Sequence, residues 1–237
     1  MHMGGTALVQ AIDALIEKGR GIAARLLQVR PEQLDFTDGH YRLSGGGMVS
    51  LAAVARAGAD DDACGAVSDL TAEVSNGSDL YTFPNGCHLV ELEIDPETGE
   101  VTLERYLAVD DFGRLINPLL TEGQLQGGVA QGIGQALLEH TVYDAESGQI
   151  HSGSLLDYAL PRASDLPSFE LTFNEIPTES NPLGVKGVGQ AGCIAAPQAV
   201  MNAILDALAP LGITQFDMPA TPCRIWESIR AARLNAR

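Results

Sequence analysis

Two side-chain types set among glycines stand out for their chemistry in this sequence. Lys186 and Gln190 lie in NPLGVKGVGQAGC, residues 181–193, which holds four glycines. Gln124, Gln131 and Gln135 lie in GQLQGGVAQGIGQ, residues 123–135, which holds five. Amide side chains offer a donor and an acceptor without charge. A glycine turn that opens a helix adds bare backbone N–H groups suited to an anion or a polarised oxygen, and Lys186 adds a positive charge four residues before Gln190. DDFGRLINP, residues 110–118, is a third candidate stretch.

Each stretch also has a plain structural reading. Gln190 can cap the helix it precedes, and glycines within a helix can serve close packing alone. The residues by themselves leave both readings open. A dinucleotide site is rejected, because GVKGVGQAG follows prolines and a loop instead of a buried strand and no acid is placed for a ribose. His88 and His140 read as structural histidines, and no Ser-His-Asp arrangement is present. Cys64, Cys87, Cys193 and Cys223 are far apart with no metal-finger spacing, so no iron–sulfur or zinc site is expected within the chain and each reads as a small buried hydrophobe.

Positioning these stretches requires helices and hairpins that the periodicity outlines. Apolar residues recur at helical spacing from Gly5 to Val29, ending at Pro31. QLDFTDGHYRL predicts a hairpin turning at Asp38-Gly39, Ser50 caps a short helix through Arg56, and residues 58–66 read as a surface loop. CHLVELEI and VTLERYLAV alternate strongly around DPETGE and predict a second hairpin. Pro118 opens a helix in which Gly123, Gly127 and Gly134 would leave a bare groove. A strand follows at 169–173, then a helix burying Ile194, Val200, Ile204 and Leu208, and a last helix capped by Thr221. The expected fold class is α+β, with mixed or antiparallel sheets and packed helices, in two lobes (1–110 and 111–237) joined near 110–117.

Composition removes several partners. The 237 residues carry a net charge of −17, which disfavours nucleic acid, and the acidic run at 60–62 reads as a solvated loop. No window approaches the roughly eighteen consecutive apolar residues of a membrane span. No secretory signal is visible, so the cytoplasm is the default expectation.

Five segments in one order, FPNGCHLVELEIDPETGEV, VDDFGRLINPLLTEGQLQGGVAQGIGQALLE, DYALPRASDLPSFE, NPLGVKGVG and DMPATPCRIWESI, closely resemble the C-terminal part of the molybdopterin-binding subunit of the molybdenum hydroxylases: xanthine dehydrogenases, aldehyde oxidases and carbon monoxide dehydrogenases. The resemblance implies a hydroxylase that inserts a water-derived oxygen into a C–H bond of an aldehyde or N-heterocycle. The implied cofactor is molybdenum–molybdopterin, with a cytosine dinucleotide as one form, held without a protein ligand to the metal, and with iron–sulfur clusters and FAD on other subunits. The family's catalytic base is a glutamate in a GVGE turn, and that position is Gln190 here. Gln124 matches a glutamine that approaches the molybdenum end of the cofactor, Gln131 lines the same helix, and Lys186 and Gly189 match residues flanking the base. An amide has no basic site usable near neutral pH, so the resemblance implies an impaired base. It also implies that the rest of the cofactor site comes from the remaining half of the subunit, whether a split subunit or one longer chain, and that the chain alone is inactive or self-associates. The competing expectation is a non-catalytic remnant serving as a binding or assembly module.

Overall fold

The computed structural model describes residues 2–60, 70–77 and 81–235. Cys64 and the acidic side chains of 60–62 lie outside the described residues. The chain divides into two compact units, one of residues 1–81 with 181–183 and the other of 82–180 with 184–237.

In the first unit, α1 (His2–Leu27) turns Ile22, Ala23 and Ala24 inward. Strands β1 (Leu34–Thr37) and β2 (His40–Leu43) pair antiparallel, and β3 (Met48–Ser50) adds to β2. Asp38 and Gly39 take φ of 50° and 72°, the left-handed pair that a two-residue hairpin turn requires. Helix α2 (Leu51–Asp60) starts where Ser50 Oγ accepts from the Ala53 N–H at 3.2 Å, and it continues through the segment expected to begin a loop. Leu34, Tyr41 and Val54 complete this core, with the Tyr41 hydroxyl donating to the Ile16 carbonyl at 2.9 Å.

In the second unit, β4 (Asn85–Ile94) and β5 (Val101–Asp111) form the antiparallel hairpin that their alternation predicts. The connector closes with Gly99 at φ 75°. Helix α3 (Pro118–Leu137) opens with Pro118 in its first turn, and the Asn117 side chain accepts from the Leu120 N–H at 3.1 Å. The chain then returns through β6 (Phe169–Phe173), which pairs parallel to β5, so α3 lies on the crossover. Helices α4 (Ala191–Leu208) and α5 (Pro222–Asn235) finish the unit. Tyr106 and Ala108 of β5, Leu125, Val129 and Ile133 of α3, Val200 and Ile204 of α4, and Ile225 of α5 share one core. The fold is therefore α+β with one antiparallel and one mixed sheet, as expected.

Several expectations change. The boundary between units falls at Tyr81 and Thr82 instead of 110–117, because the β4–β5 hairpin shares its sheet and core with everything that follows it. Gly123 and Gly127 face open space, Gly134 is a place of close approach as expected, with a Cβ there 2.8 Å from Pro161 Cδ, and further close approaches are at Gly128 and Gly132, where α3 meets the start of α4. A Cβ on Gly132 would stand 2.7 Å from Ala196 Cβ and 2.8 Å from Pro197 Cδ. Ile194 is 64% exposed, while Val200, Ile204 and Leu208 are buried as expected. Cys87 and Cys223 are exposed and Cys193 is half-buried, so these three are not core residues. By length and composition residues 191–211 could cross a membrane, and one face of α4, with Val200, Met201, Ile204 and Leu208, is buried in the protein core.

Candidate functional site

Gln190 is the residue that leads into α4, with φ −119° and ψ 5°, and its side chain does not cap the helix. The capping alternative is thereby removed. The amide is exposed at the positive end of the helix dipole, where the chain has little secondary structure of its own. Gly187 and Gly189 leave open space where a Cβ would stand, so the backbone of the turn is bare on that side.

Helix α3 holds this turn from one side. Gln124 Nε2 donates to the Gly189 carbonyl at 2.6 Å, which brings together two of the residues singled out in the sequence. The approach depends on glycine on both helices: a Cβ on Gly128 would stand 3.1 Å from the Cys193 nitrogen, and one on Gly192 would stand 2.6 Å from the Leu125 carbonyl. Gln131 is exposed and lies seven residues beyond Gln124, so it falls on nearly the same face of α3.

Lys186 is not the free cation that its position suggests. Its Nζ donates to Asp111 Oδ2 at 2.5 Å, with the two side chains 12% and 8% exposed. Asp111 Oδ1 accepts the N–H of Gly113 at 2.8 Å and of Ile176 at 3.1 Å. Burial works against the carboxylate, but these hydrogen bonds and the lysine outweigh it and hold Asp111 below the usual carboxylate range. Backbone bonds run alongside: Lys186 N–H to the Phe112 carbonyl at 2.8 Å, and Arg114 N–H to the Gly184 carbonyl at 2.9 Å. Gly113 and Gly184 both take positive φ there, and a Cβ on Gly113 would meet the Gly184 carbonyl.

A second buried group lies under the first turn of α4. His88 contacts Tyr106 Oη through Nδ1 at 2.7 Å and Asp110 Oδ2 through Nε2 at 3.2 Å, with both ring and carboxylate almost fully buried. Burial and the nearby Asp110 charge push the Tyr106 hydroxyl upward, which keeps it protonated. His88 and Asp110 line a cavity of about 160 Å³ with Asn85, Gly86, Ala191 and Ile194. His88 is thus the satisfied structural histidine expected; His140 is exposed just beyond α3. Sequence reasoning named DDFGRLINP as a candidate stretch but gave Asp110 and Asp111 no role. The one signal for Asp111 was the glycine two residues later in DDFG, and its lysine partner lies 75 residues away.

The cluster can present neutral amides and bare backbone to a polar ligand. No group of three or more metal-ligating side chains occurs among the described residues.

Comparison with known proteins gives this arrangement its context. The nicotine 6-hydroxylase large subunit of Paenarthrobacter nicotinovorans is 37% identical over 94% of this chain and 28% of its own length. The carbon monoxide dehydrogenase large chain of Hydrogenophaga pseudoflava is 31% identical over 98% of this chain and 29% of its own. Among solved structures, carbon monoxide dehydrogenase from Oligotropha carboxidovorans superposes with a TM-score of 0.91 at 28% identity, covering 98% of this chain and 29% of that one. Quinoline 2-oxidoreductase from Pseudomonas putida 86 superposes at 0.81 with 36% identity, covering 92% and 28%. The chain thus spans less than a third of the length of these relatives. The family model described as the molybdopterin cofactor-binding domain matches residues 1–167, and with that match over most of its length the chain belongs to this family of molybdenum hydroxylases.

Proposed function

We propose that this chain forms part of the molybdopterin site of a hydroxylase and that the turn at 187–190 faces the cofactor. The observation that carries the reading is the 2.6 Å bond from Gln124 to Gly189, which joins the amide-bearing helix to the bare turn. When bound, the molybdenum–molybdopterin group supplies two-electron oxidation of a C–H carbon, with water as the oxygen source. Gln124, Gln131 and the backbone at Gly189 are the residues that would hold it, through hydrogen bonds to its polar edge. Lys186 contributes by shaping the turn, since its ammonium is already engaged by Asp111.

Gln190 stands at the position of the family's proton acceptor. It can orient a polar group by donating and accepting hydrogen bonds, but it cannot take a proton near neutral pH. The hydroxylase reading therefore needs the rest of a large subunit to complete the site, with iron–sulfur and flavin subunits to carry electrons away. An N-heterocycle is one substrate class, since one relative is a nicotine hydroxylase and another a quinoline oxidoreductase, while the carbon monoxide dehydrogenases among the relatives do not share it. One observation favours a second reading, a non-catalytic binding or assembly module: the neutral amide at Gln190.

The test is to co-express the chain with the remaining portion of a large subunit and to measure molybdenum and pterin in the purified complex. Stoichiometric cofactor supports the site. Cofactor bound without turnover of any N-heterocycle or aldehyde selects the second reading, and a metal-free chain that ignores its partners sinks both.

A further inference from the structure

The turn that carries Gln190 is fixed by contacts that converge on one buried carboxylate. Asp111 ends β5 and receives Gly113 from the loop after it, Ile176 from the segment after β6, and Lys186 from the turn itself. Three stretches far apart in the sequence are thus pinned to two oxygen atoms, beside the backbone bonds that join Lys186 to Phe112 and Arg114 to Gly184. Three residues separate Lys186 from Gln190, and glycine occupies two of those three positions. Such a span keeps no shape by itself, because glycine leaves the backbone free. Its two ends are held: Lys186 by Asp111 at one, and Gly189 by Gln124 at the other.

We infer that Asp111 and Lys186 are a positioning pair, whose ion-paired contact sets where the 184–190 turn presents the side chain at position 190. This rests on the reading of Gln190 as the residue that faces the cofactor. Asp111 does not touch the ligand, and its effect passes through Lys186 and the backbone of the turn. The bare flank at Gly187 and Gly189 lets the turn approach a ligand closely, and the pair at its base limits how far it can drift.

The inference is tested by amide hydrogen exchange on the whole chain, comparing residues 184–191 with α5 as an internal reference. The variants are Asp111→Asn, Lys186→Met, and the double variant Asp111→Asn with Lys186→Gln, whose two amides can bond without charge. Each single variant is expected to speed exchange of the hydrogen-bonded Lys186 and Ala191 amides by about tenfold or more while α5 keeps its rate, as loss of a charge-assisted bond implies. The double variant is expected to return within about threefold of the parent. Unchanged exchange in the turn overturns the inference. Equal acceleration in α5, or no recovery in the double variant, makes the pair a general stability element and also overturns it. A second readout is molybdopterin retained after co-expression with the rest of a large subunit. If Lys186→Met loses the pterin while its turn exchanges normally, the lysine touches the ligand directly and the inference fails. If the parent chain retains no pterin yet the single variants loosen the turn, the positioning role stands and the proposed function fails.

Discussion

Gln124 and Gly189 are joined across 65 residues of sequence by a bond from the Gln124 amide to the Gly189 carbonyl. Replacing Gln124 with alanine removes that donor while leaving the exposed carbonyl to water. The expected cost to global stability is small, about 0.5–1.5 kcal/mol, because solvent can take over the acceptor. Cofactor retention is expected to fall more than stability does. Chemical denaturation and molybdenum analysis of the same preparation separate the two effects.

Gln190→Glu places a carboxylate at the positive end of α4. Turnover of the assembled enzyme is expected to rise by about 10²–10⁴-fold, the usual worth of a general base. The charge also favours the helix start, by about 0.3–1 kcal/mol. Steady-state kinetics checks the first effect and thermal unfolding the second. A stabilised variant with unchanged turnover would show that proton transfer at this position does not limit the rate.

The contact between α3 and α4 predicts opposite outcomes for neighbouring glycines. Gly132→Ala drives a methyl group against Ala196 and Pro197, both buried in α4, and is expected to cost about 1–3 kcal/mol. Gly127→Ala meets nothing and replaces the poorer helix former, so it is expected to gain up to about 1 kcal/mol. Urea denaturation of the two variants side by side decides the matter.

The acid limb of stability carries the signature of Asp111. Its carboxyl is held below the usual range in the folded chain, so the stabilisation is present above the unfolded pKa of about 3.9 and is lost as pH falls through the lower folded value. The stability difference between the parent and Asp111→Asn is expected to stay constant from neutrality down to about pH 5 and to shrink below about pH 4. Denaturant midpoints across that range measure it.

Local chemistry made much of the fold legible. Asp38-Gly39 announced the first hairpin because few other pairs accept two left-handed residues, and Asn117-Pro118 announced the start of α3 through a cap and a fixed φ. What stayed hidden depends on which faces meet. Gly123 and Gly127 share near-helical spacing with the glycines that pack, and only the position of α4 selects Gly128 and Gly132. Ile194 fits the periodicity of a buried face, but it lies in the first turn of α4, where the core ends and the site opens. Cys87 alternates onto the outer side of β4, which sequence exposes only if the buried side is already known. In the site, the resemblance picked out Gln190, Gln124 and Lys186, and the structure brings Gln124 to the turn. The same sequence reading left Lys186 looking like a free charge, because nothing local points to an acid 75 residues earlier.

That separation bears on the order in which the molecule is made. Asp111 emerges from the ribosome long before Ile176 and Lys186 can reach it, and Gln124 waits just as long for Gly189. The β4–β5 hairpin can close at once, whereas the turn at 184–190 takes shape only after residues 176 and 186 have followed it. A nascent chain halted before residue 186 would carry a carboxylate committed to a pocket whose cation has not arrived. The closure of the candidate site therefore reports that the elements from β5 to the 184–190 turn are already in place.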